Sequence, residues 1–187
     1  MKTKFPKNLN TEKNFISPIW ISNHEDKIYL KKLNNISDKY IKESKKINNK
    51  TTVFHSESLI NVPEYLELQD YVIATSRNLL LEMGYDLKEF EVCCTELWVQ
   101  EFDKKGGGHH SVHTHWNGHI SGFYFLKSSD KTSRPVFHDP RAGAVMNLLP
   151  ELDKTKLTHA SSQINYTTKP GTLIFFPSYL PHEYTVD

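Results

Sequence analysis

The pattern of apolar residues changes near residue 90, and this change limits the folds open to the chain. Before that point, apolar residues over 63–83 recur near the helical period, with Pro63 in the first turn and Gly84 at the C-terminal cap. After it, short β-rich runs alternate with turn residues, as in a sandwich or barrel. The chain is therefore predicted to be α+β and mainly β, with N-terminal helices packed on an antiparallel β core.

The same criteria predict the weaker elements. Segment 15–21 is a short apolar run interrupted by Pro18, which predicts an edge strand. Segment 26–46 predicts one or two weak helices, 47–52 a loop and 106–108 a flexible turn. The predicted strands of the second part are 92–102, 120–126, 136–137, 144–148, 163–167 and 172–176. We expect a single structural unit in two parts, a strand and helical layer over 1–90 and the β core over 91–187.

Composition excludes several classes of protein. No run of about 18 apolar residues is present, so no membrane helix is expected. The two cysteines, Cys93 and Cys94, are adjacent, which fits a reducing cytoplasm better than a disulfide framework. The first ten residues lack the apolar core of a secretory signal, and we expect a cytoplasmic protein.

Charge is unevenly distributed. The net charge of +1 gives no clear nucleic-acid signal, yet residues 1–50 hold 12 Lys against 5 acidic residues, giving +7. A solvated lysine-rich face is the favoured interpretation of this segment, and a partner surface is the alternative. Composition also leaves a homodimer open.

Histidine is the residue type that points to chemistry, because six of the ten histidines lie between residues 109 and 138. In an extended segment His113 and His115 point to the same face and can converge on one metal ion. His182, which follows the predicted strand 172–176 through a turn, is the natural third ligand. Three protein ligands with open positions are typical of a catalytic metal site.

The remaining histidines carry weaker signals. His109 and His110 lie in a glycine-rich polar turn, where solvated side chains are expected. A helical ligand pair of His115 and His119 is disfavoured by Gly118 and the β-rich run that follows. No paired-cysteine zinc motif, P-loop or serine-hydrolase motif is present. The residues expected to be ordinary surface histidines are His24, His55 and His159.

Several motifs resemble Fe(II)/2-oxoglutarate-dependent oxygenases. They are Trp98-Val99-Gln100, the H-T-H run at 113–115, the run SGFYFL at 121–126, FHDPR at 137–141, and the block PGTLIFFPS at 170–178 that leads to His182. The likeness is closest to a group of 2-oxoglutarate oxygenases that is found in bacteria and marine bacteriophages and is related to prolyl 4-hydroxylases. It implies a double-stranded β-helix, a cupin-like jelly roll, with Fe(II) at one end.

The resemblance also implies roles for individual residues. The iron ligands and catalytic centre would be His113, His115 and His182. The middle position is a carboxylate in the wider superfamily, so His115 is a departure, and Asp139 is the alternative third ligand. Tyr124 would contact 2-oxoglutarate, with Phe125 in its place if the alignment shifts by one residue. Trp98 and Gln100 share one strand face and are expected to line the pocket.

A second departure concerns the co-substrate. The family places an Arg after the distal histidine to pair with the far carboxylate of 2-oxoglutarate. Here Asp187 is the last residue, five positions after His182, and no Arg lies between them. The cations that could replace it are Lys127, Arg134, Arg141 and Lys169.

The predicted function is an Fe(II)/2-oxoglutarate-dependent dioxygenase, a non-haem iron oxidoreductase that hydroxylates an unknown substrate while 2-oxoglutarate is decarboxylated to succinate. One alternative is a three-histidine, cupin-type dioxygenase that does not use 2-oxoglutarate, which the missing Arg favours. The other is a catalytically silent binding module that uses the basic segment 1–50.

Overall fold

Three antiparallel sheets and three α-helices make up the parts of the chain described by the computed structural model, residues 10–47, 50–129, 131–146 and 149–186. The helices are α1 (Lys27–Ile47), α2 (Leu66–Glu82) and α3 (Ala142–Met146), with a 3-10 turn at Pro63–Tyr65. The strands are β1 (Trp20–Asn23), β2 (Val53–His55), β3 (Gln100–Phe102), β4 (His110–His113), β5 (Ile120–Tyr124), β6 (Pro135–His138), β7 (Gln163–Asn165), β8 (Thr172–Pro177) and β9 (His182–Tyr184). Within these residues no helix has the length and apolar character needed to cross a bilayer.

Helix α1 begins where Asp26 accepts hydrogen bonds from the backbone N–H groups of Ile28 (2.9 Å) and Tyr29 (3.0 Å). This bonding satisfies N–H groups that have no partner inside the helix. The buried stripe of α1 repeats every four residues and consists of Leu33, Ser37 and Ile41. The prediction for 26–46 is confirmed as one continuous helix.

Helix α2 confirms the prediction for 63–83. Pro63 opens the 3-10 turn before it, and Gly84 follows it with a φ of 91°. A positive φ is strained for residues with a Cβ, and glycine is the usual residue one position beyond a helix end. The N–H of Tyr85 donates to the carbonyl of Leu80 (3.0 Å), which closes the helix end.

The three sheets have the strand orders β1–β8–β5, β2–β3 and β4–β9–β6–β7. Strand β1 lies at a sheet edge, as predicted, but it starts at Trp20, and Phe15 and Ile16 before it are exposed. β1 from the first predicted part pairs with β8 from the second. Because β8 is the central strand of its sheet, all six of its residues are buried.

The two faces of β8 contact different cores. Ile174 and Phe176 pack with Phe125, Phe137 and Leu180. The alternate residues of β8, Leu173 and Phe175, pack against Leu79 of α2. The sheet β1–β8–β5 is therefore sandwiched between the helical layer and a second set of apolar side chains.

Some elements differ from the prediction. The segment 144–148 was predicted to be a strand, and its described part belongs to helix α3, where Ala144 and Val145 donate backbone hydrogen bonds to the carbonyl of Arg141. The prediction was wrong because a short apolar run suits either element when no sheet edge is available to pair with it. Residues 147–148, and 48–49 of the predicted loop, lie outside the described residues.

The predicted strand 92–102 is also shorter in the structure. Only Gln100–Phe102 pairs as β3, and the residues before it run alongside 56–59 without forming a regular strand. Strands β2, β4 and β9 were not predicted.

Candidate metal centre

His113 and His182 face each other across two paired strands. In the antiparallel pair β4–β9 the two residues are register partners, and their ring centroids lie 4.3 Å apart. The pairing arises because β9 returns next to β4 after the turn that follows β8. The structure thus brings together two histidines that are 69 positions apart in the sequence.

His115 joins them from just beyond the end of β4. Its backbone N–H donates to the carbonyl of Ser178 (2.9 Å), which ties this segment to the turn after β8. Its ring centroid lies 5.2 Å from that of His113 and 5.1 Å from that of His182. One ligand nitrogen from each of the three histidines lies within 4.8 Å of the others, so the structure assembles the predicted histidine set.

Hydrogen bonds orient two of the imidazoles. Nδ1 of His113 lies 2.8 Å from the carbonyl oxygen of Ser111, and Nδ1 of His182 lies 2.9 Å from that of Leu180. A carbonyl only accepts, so each Nδ1 carries the proton and donates it, which leaves Nε2 with a lone pair. This is the usual arrangement of metal-binding histidines.

The Nε2 atom of His182 is buried and has no hydrogen-bond partner among the described residues. A buried polar atom without a partner costs free energy, and a bound metal ion would satisfy it. The donor set fits iron(II), which imidazole nitrogen binds well, and three ligands leave coordination positions open.

Burial favours the neutral form of the His182 and His115 imidazoles. It lowers the pKa of His182 to about 4, and the neighbouring His113 and His115 act in the same direction. Burial also lowers the pKa of His115, followed by the effect of His113, while the carboxylate of Glu96 acts in the opposite direction. Neutral imidazole is the form that binds metal ions.

Aromatic rings surround the side chain of His182. The rings of Phe176, Phe123 and Phe137 have centroids 4.7, 5.7 and 6.0 Å from that of His182. These rings belong to the interior between the two larger sheets. They form an apolar wall that limits water access behind the histidines.

Asp139, the alternative ligand, is engaged elsewhere. Its carboxylate oxygens accept hydrogen bonds from the Arg141 side chain at 2.7 to 3.2 Å, and these bonds lower the pKa of Asp139. The metal-ligand group found among the described residues does not include it. The geometry therefore favours His115 over Asp139.

Tyr124 lies on the opposite face of β5 from Phe123. Its hydroxyl is 2.8 Å from Nδ1 of His24, and its ring packs against the cores next to helices α1 and α2. This position gives the expected contact with 2-oxoglutarate no support. His24 was expected to be an ordinary surface histidine, and it is half-buried in this contact.

Trp98, Gln100 and Phe102 alternate along one face of the segment that ends in β3. The ring of Phe102 contacts His110 (6.2 Å between centroids) and Tyr184 (5.4 Å), so this face looks toward β4 and β9. Trp98 stacks on His55 with a centroid separation of 5.1 Å. That Trp98 and Gln100 line the pocket beside the three histidines stays a prediction.

Two residues of this region were missed by the sequence reasoning. His110 is half-buried, not solvated, and its ring lies 5.7 Å from that of His113. A β-bulge between these two histidines turns both toward the same side, because three steps along β4 correspond to two along β9. Nothing in the sequence marks such a bulge.

Tyr184 is the second residue of this region that the sequence reasoning missed. It lies two residues after His182 on β9, among the rings of Phe102, Phe123 and Phe125. Burial raises the pKa of its phenol. The period of two along a strand starting at His182 was the available signal.

The cations considered as a replacement for the missing Arg include two that are paired. Lys127 forms an ion pair with Asp38, and Arg141 with Asp139. Arg134 lines a separate surface cavity of about 340 Å³ that also includes Glu183.

Comparison with known proteins bears on this site. Residues 96–186 match a family model described as "Putative 2OG-Fe(II) oxygenase". The curated proteins contain no significant match to the chain. The matched segment contains all three histidines and strands β3 to β9. The match confirms the resemblance at the level of this family and the predicted cofactors Fe(II) and 2-oxoglutarate, while the bacterial and bacteriophage detail stays a prediction.

Proposed function

Because residues 96–186 match the model of a 2OG-Fe(II) oxygenase family, we propose that this protein is a dioxygenase that hydroxylates a substrate while converting 2-oxoglutarate to succinate. The observation that carries the proposal is the convergence of His113, His115 and His182, with the Nε2 atom of His182 buried and unpaired among the described residues. In the overall reaction one oxygen atom of O₂ enters the substrate and the other enters succinate, with loss of carbon dioxide.

The protein's residues would hold the metal and shape its surroundings. His113, His115 and His182 would bind Fe(II) through the nitrogens that the backbone carbonyls leave unprotonated. When bound, Fe(II) and 2-oxoglutarate supply the activation of dioxygen, which side chains alone do not provide. The rings of Phe123, Phe137 and Phe176 would exclude water from the inner side of the site.

We assign the co-substrate to the interior next to β9 and β3. The Tyr184 hydroxyl is a neutral donor in an aromatic environment and would bind a carboxylate oxygen of 2-oxoglutarate. Gln100, on the same face as Phe102, would supply a second polar group. Tyr184 thereby takes the role that the resemblance gave to Tyr124.

The proposed architecture is a cupin-like jelly roll, a double-stranded β-helix. The two larger sheets, β1–β8–β5 and β4–β9–β6–β7, would form its two halves. The chain crosses between them from β4 to β5 to β6 and again from β7 to β8 to β9, which supports this architecture. The apolar cluster that contains Phe137 and Phe176 would be its interior.

Anaerobic titration tests the proposal. We expect Fe(II) to bind, and 2-oxoglutarate then to produce the weak visible charge-transfer band of an Fe(II) chelate. His182→Ala should abolish both, while His159→Ala, at an exposed histidine away from the site, should keep them. Absence of Fe(II) binding to the wild-type protein would refute the proposal.

A second candidate is a three-histidine dioxygenase that does not use 2-oxoglutarate. It is favoured by one observation, the absence of a carboxylate from the metal-ligand group found among the described residues. Iron binding without the visible band, together with oxygen uptake that needs no 2-oxoglutarate, would identify it.

A further inference from the structure

A cavity of about 470 Å³ lies between the segments 55–58 and 95–98. Its walls include His55 and Trp98, whose rings are stacked, together with Ser56, Thr95 and Glu96. This volume is in the range of sites that hold an amino acid or a side chain of similar size.

The cavity borders the helical core, because Leu97 lines the cavity and also packs against that core. Leu97 and Val99 pack into the cluster around Leu33, so Glu96 and Trp98, which alternate with them, project to the other side. Hydrogen bonds from the N–H of Leu59 to the carbonyl of Leu97 (2.7 Å) and from the N–H of Ser56 to that of Val99 (2.9 Å) hold the segment in place. The cavity walls are therefore carried by a fixed backbone.

Glu96 connects the cavity to the histidines. Its Oε1 accepts a hydrogen bond from the side-chain amide of Asn117 (2.6 Å), and Asn117 lies two residues after His115. The Glu96 carboxylate is also close enough to His115 to raise the pKa of its imidazole, against the larger lowering by burial. On the other side, His55 acts electrostatically on His110, which contacts His113.

The residues that line the cavity favour a cationic ligand. Glu96 carries the one carboxylate among the lining residues, which include no Lys or Arg. Asn117 bonds one of its oxygens, which leaves the other available to a cation. An aromatic face next to a carboxylate attracts ammonium and guanidinium groups through both the π-system and the charge.

We propose that this cavity binds the cationic side chain of a basic amino acid, free or within a peptide, and that this group belongs to the primary substrate. The substrate assignment depends on the proposed function, because it treats the neighbouring histidines as the reaction centre. The binding of the cation depends only on the cavity.

Calorimetry on the full chain at pH 8 tests the cation preference. The ligand pairs are L-arginine against its neutral isostere L-citrulline, and L-lysine against L-norleucine, with Nα-acetyl-L-arginine amide to distinguish a peptide from a free amino acid. We expect at least one cation to bind about fivefold or more tightly than its neutral partner. Equal binding within both pairs would overturn the proposal.

Two variants test whether the preference for a cation arises in this cavity. Glu96→Gln keeps the shape and the bond from Asn117 but removes the charge, and should abolish the preference for the cation. Glu91→Gln, at an exposed carboxylate outside the lining, should retain it. A preference that survives Glu96→Gln would contradict the assignment.

Paramagnetic relaxation tests the link to the reaction centre separately. With Mn(II) added to the protein, we expect broadening of the side-chain proton signals of the bound cation, and no such broadening in His182→Ala. Cation binding without broadening, in a protein shown to bind Mn(II), would overturn the substrate assignment. Failure of the wild-type protein to bind metal would instead refute the proposed function, and the calorimetric result would still test the cavity.

Discussion

At the scale of single residues, the candidate site depends on how each imidazole is oriented. Backbone carbonyls fix the tautomers of His113 and His182, and burial keeps His182 neutral. The three-histidine set differs from a set with a carboxylate because no ligand charge offsets that of the metal. Glu96 accepts a hydrogen bond from Asn117 beside His115, and its negative charge would partly offset the charge of a bound metal ion.

The lowered pKa of His182 predicts acid sensitivity of the metal-free protein. The folded-state pKa is about 4, against an ordinary value of 6.5. As the pH falls from 6.5 to 4, the unfolded chain takes up a proton that folded His182 does not, so the free energy of unfolding should fall. The slope from this residue is at most about 1.4 kcal/mol per pH unit.

Denaturant unfolding at a series of pH values measures this slope. His182→Gln should show a shallower decrease between pH 6.5 and 4 than the wild-type protein. His159→Gln, at an exposed histidine, should leave the wild-type slope unchanged. Parallel curves for the wild type and His182→Gln would contradict the prediction.

Tyr184 provides a second prediction at this scale. Tyr184→Phe keeps the ring that packs on Phe102 and Phe123 and removes only the hydroxyl. Loss of a hydrogen bond to a charged group should weaken 2-oxoglutarate binding roughly tenfold or more. Titration of the Fe(II)-loaded protein under anaerobic conditions measures this affinity.

Tyr124→Phe is the matched control for that experiment. Tyr124 faces His24 and the helical layer, so removal of its hydroxyl should leave the affinity for 2-oxoglutarate unchanged. The reverse result, with weaker binding only in Tyr124→Phe, would return the co-substrate contact to the residue expected from the resemblance.

At the scale of secondary-structure elements, short strands position the ligands and tight turns connect them. Strand β8 is central and fully buried, and the turn after it delivers His182 opposite His113. The bulge in β4 adds His110 to the same side. The site is thus built on strand ends and the segments beside them, where small backbone changes redirect side chains.

Gly171, just before β8, offers a test at this scale. Its φ is 93°, and a Cβ at this position would overlap the carbonyl oxygen of His24. The N–H of His24 donates to the carbonyl of Gly171 (2.8 Å), so the two backbones are in close contact. Gly171→Ala should lower the free energy of unfolding by at least about 2 kcal/mol.

Gly143→Ala serves as the control for Gly171→Ala. A Cβ at Gly143 in helix α3 would meet no atom within 4 Å, and alanine is a better helix former than glycine. Urea unfolding should therefore show little change, or slightly greater stability, in Gly143→Ala. Equal destabilisation of the two variants would show that close contact with His24 is not the cause.

At the scale of the whole molecule, metal binding should be coupled to stability. The three ligands come from β4, the segment after it and β9, so they converge only in the folded state. A metal at about 100 times its dissociation constant should add about 2.7 kcal/mol, which raises Tm by roughly 5–10 °C. Thermal unfolding with and without Mn(II) measures the shift, and a chelator should reverse it.

The His182→Ala variant controls for metal bound elsewhere. Loss of one of three ligands should abolish most of the increase in Tm. A full increase in the variant would mean that the metal binds at another group of residues and that the triad does not hold it.

Helix α2, the β core and two of the three candidate ligands could be predicted from the sequence, because they depend on local properties of the chain. The helical period, Pro63 and Gly84 determine α2, and alternation with turn residues indicates the β core. The spacing of His113 and His115 predicts two ligands that share a face. The family match supports the resemblance carried by motifs such as the block 170–178.

Only the tertiary structure decided the rest, because those features depend on contacts between distant segments. Strand register brings His182 opposite His113, a bulge turns His110 inward, and the two faces of β5 separate Tyr124 from the histidines. The ion pair of Asp139 with Arg141 engages that carboxylate elsewhere, and His115 is the third member of the candidate metal group. Composition and spacing specify which groups are available, whereas the pairing of strands determines which of them meet.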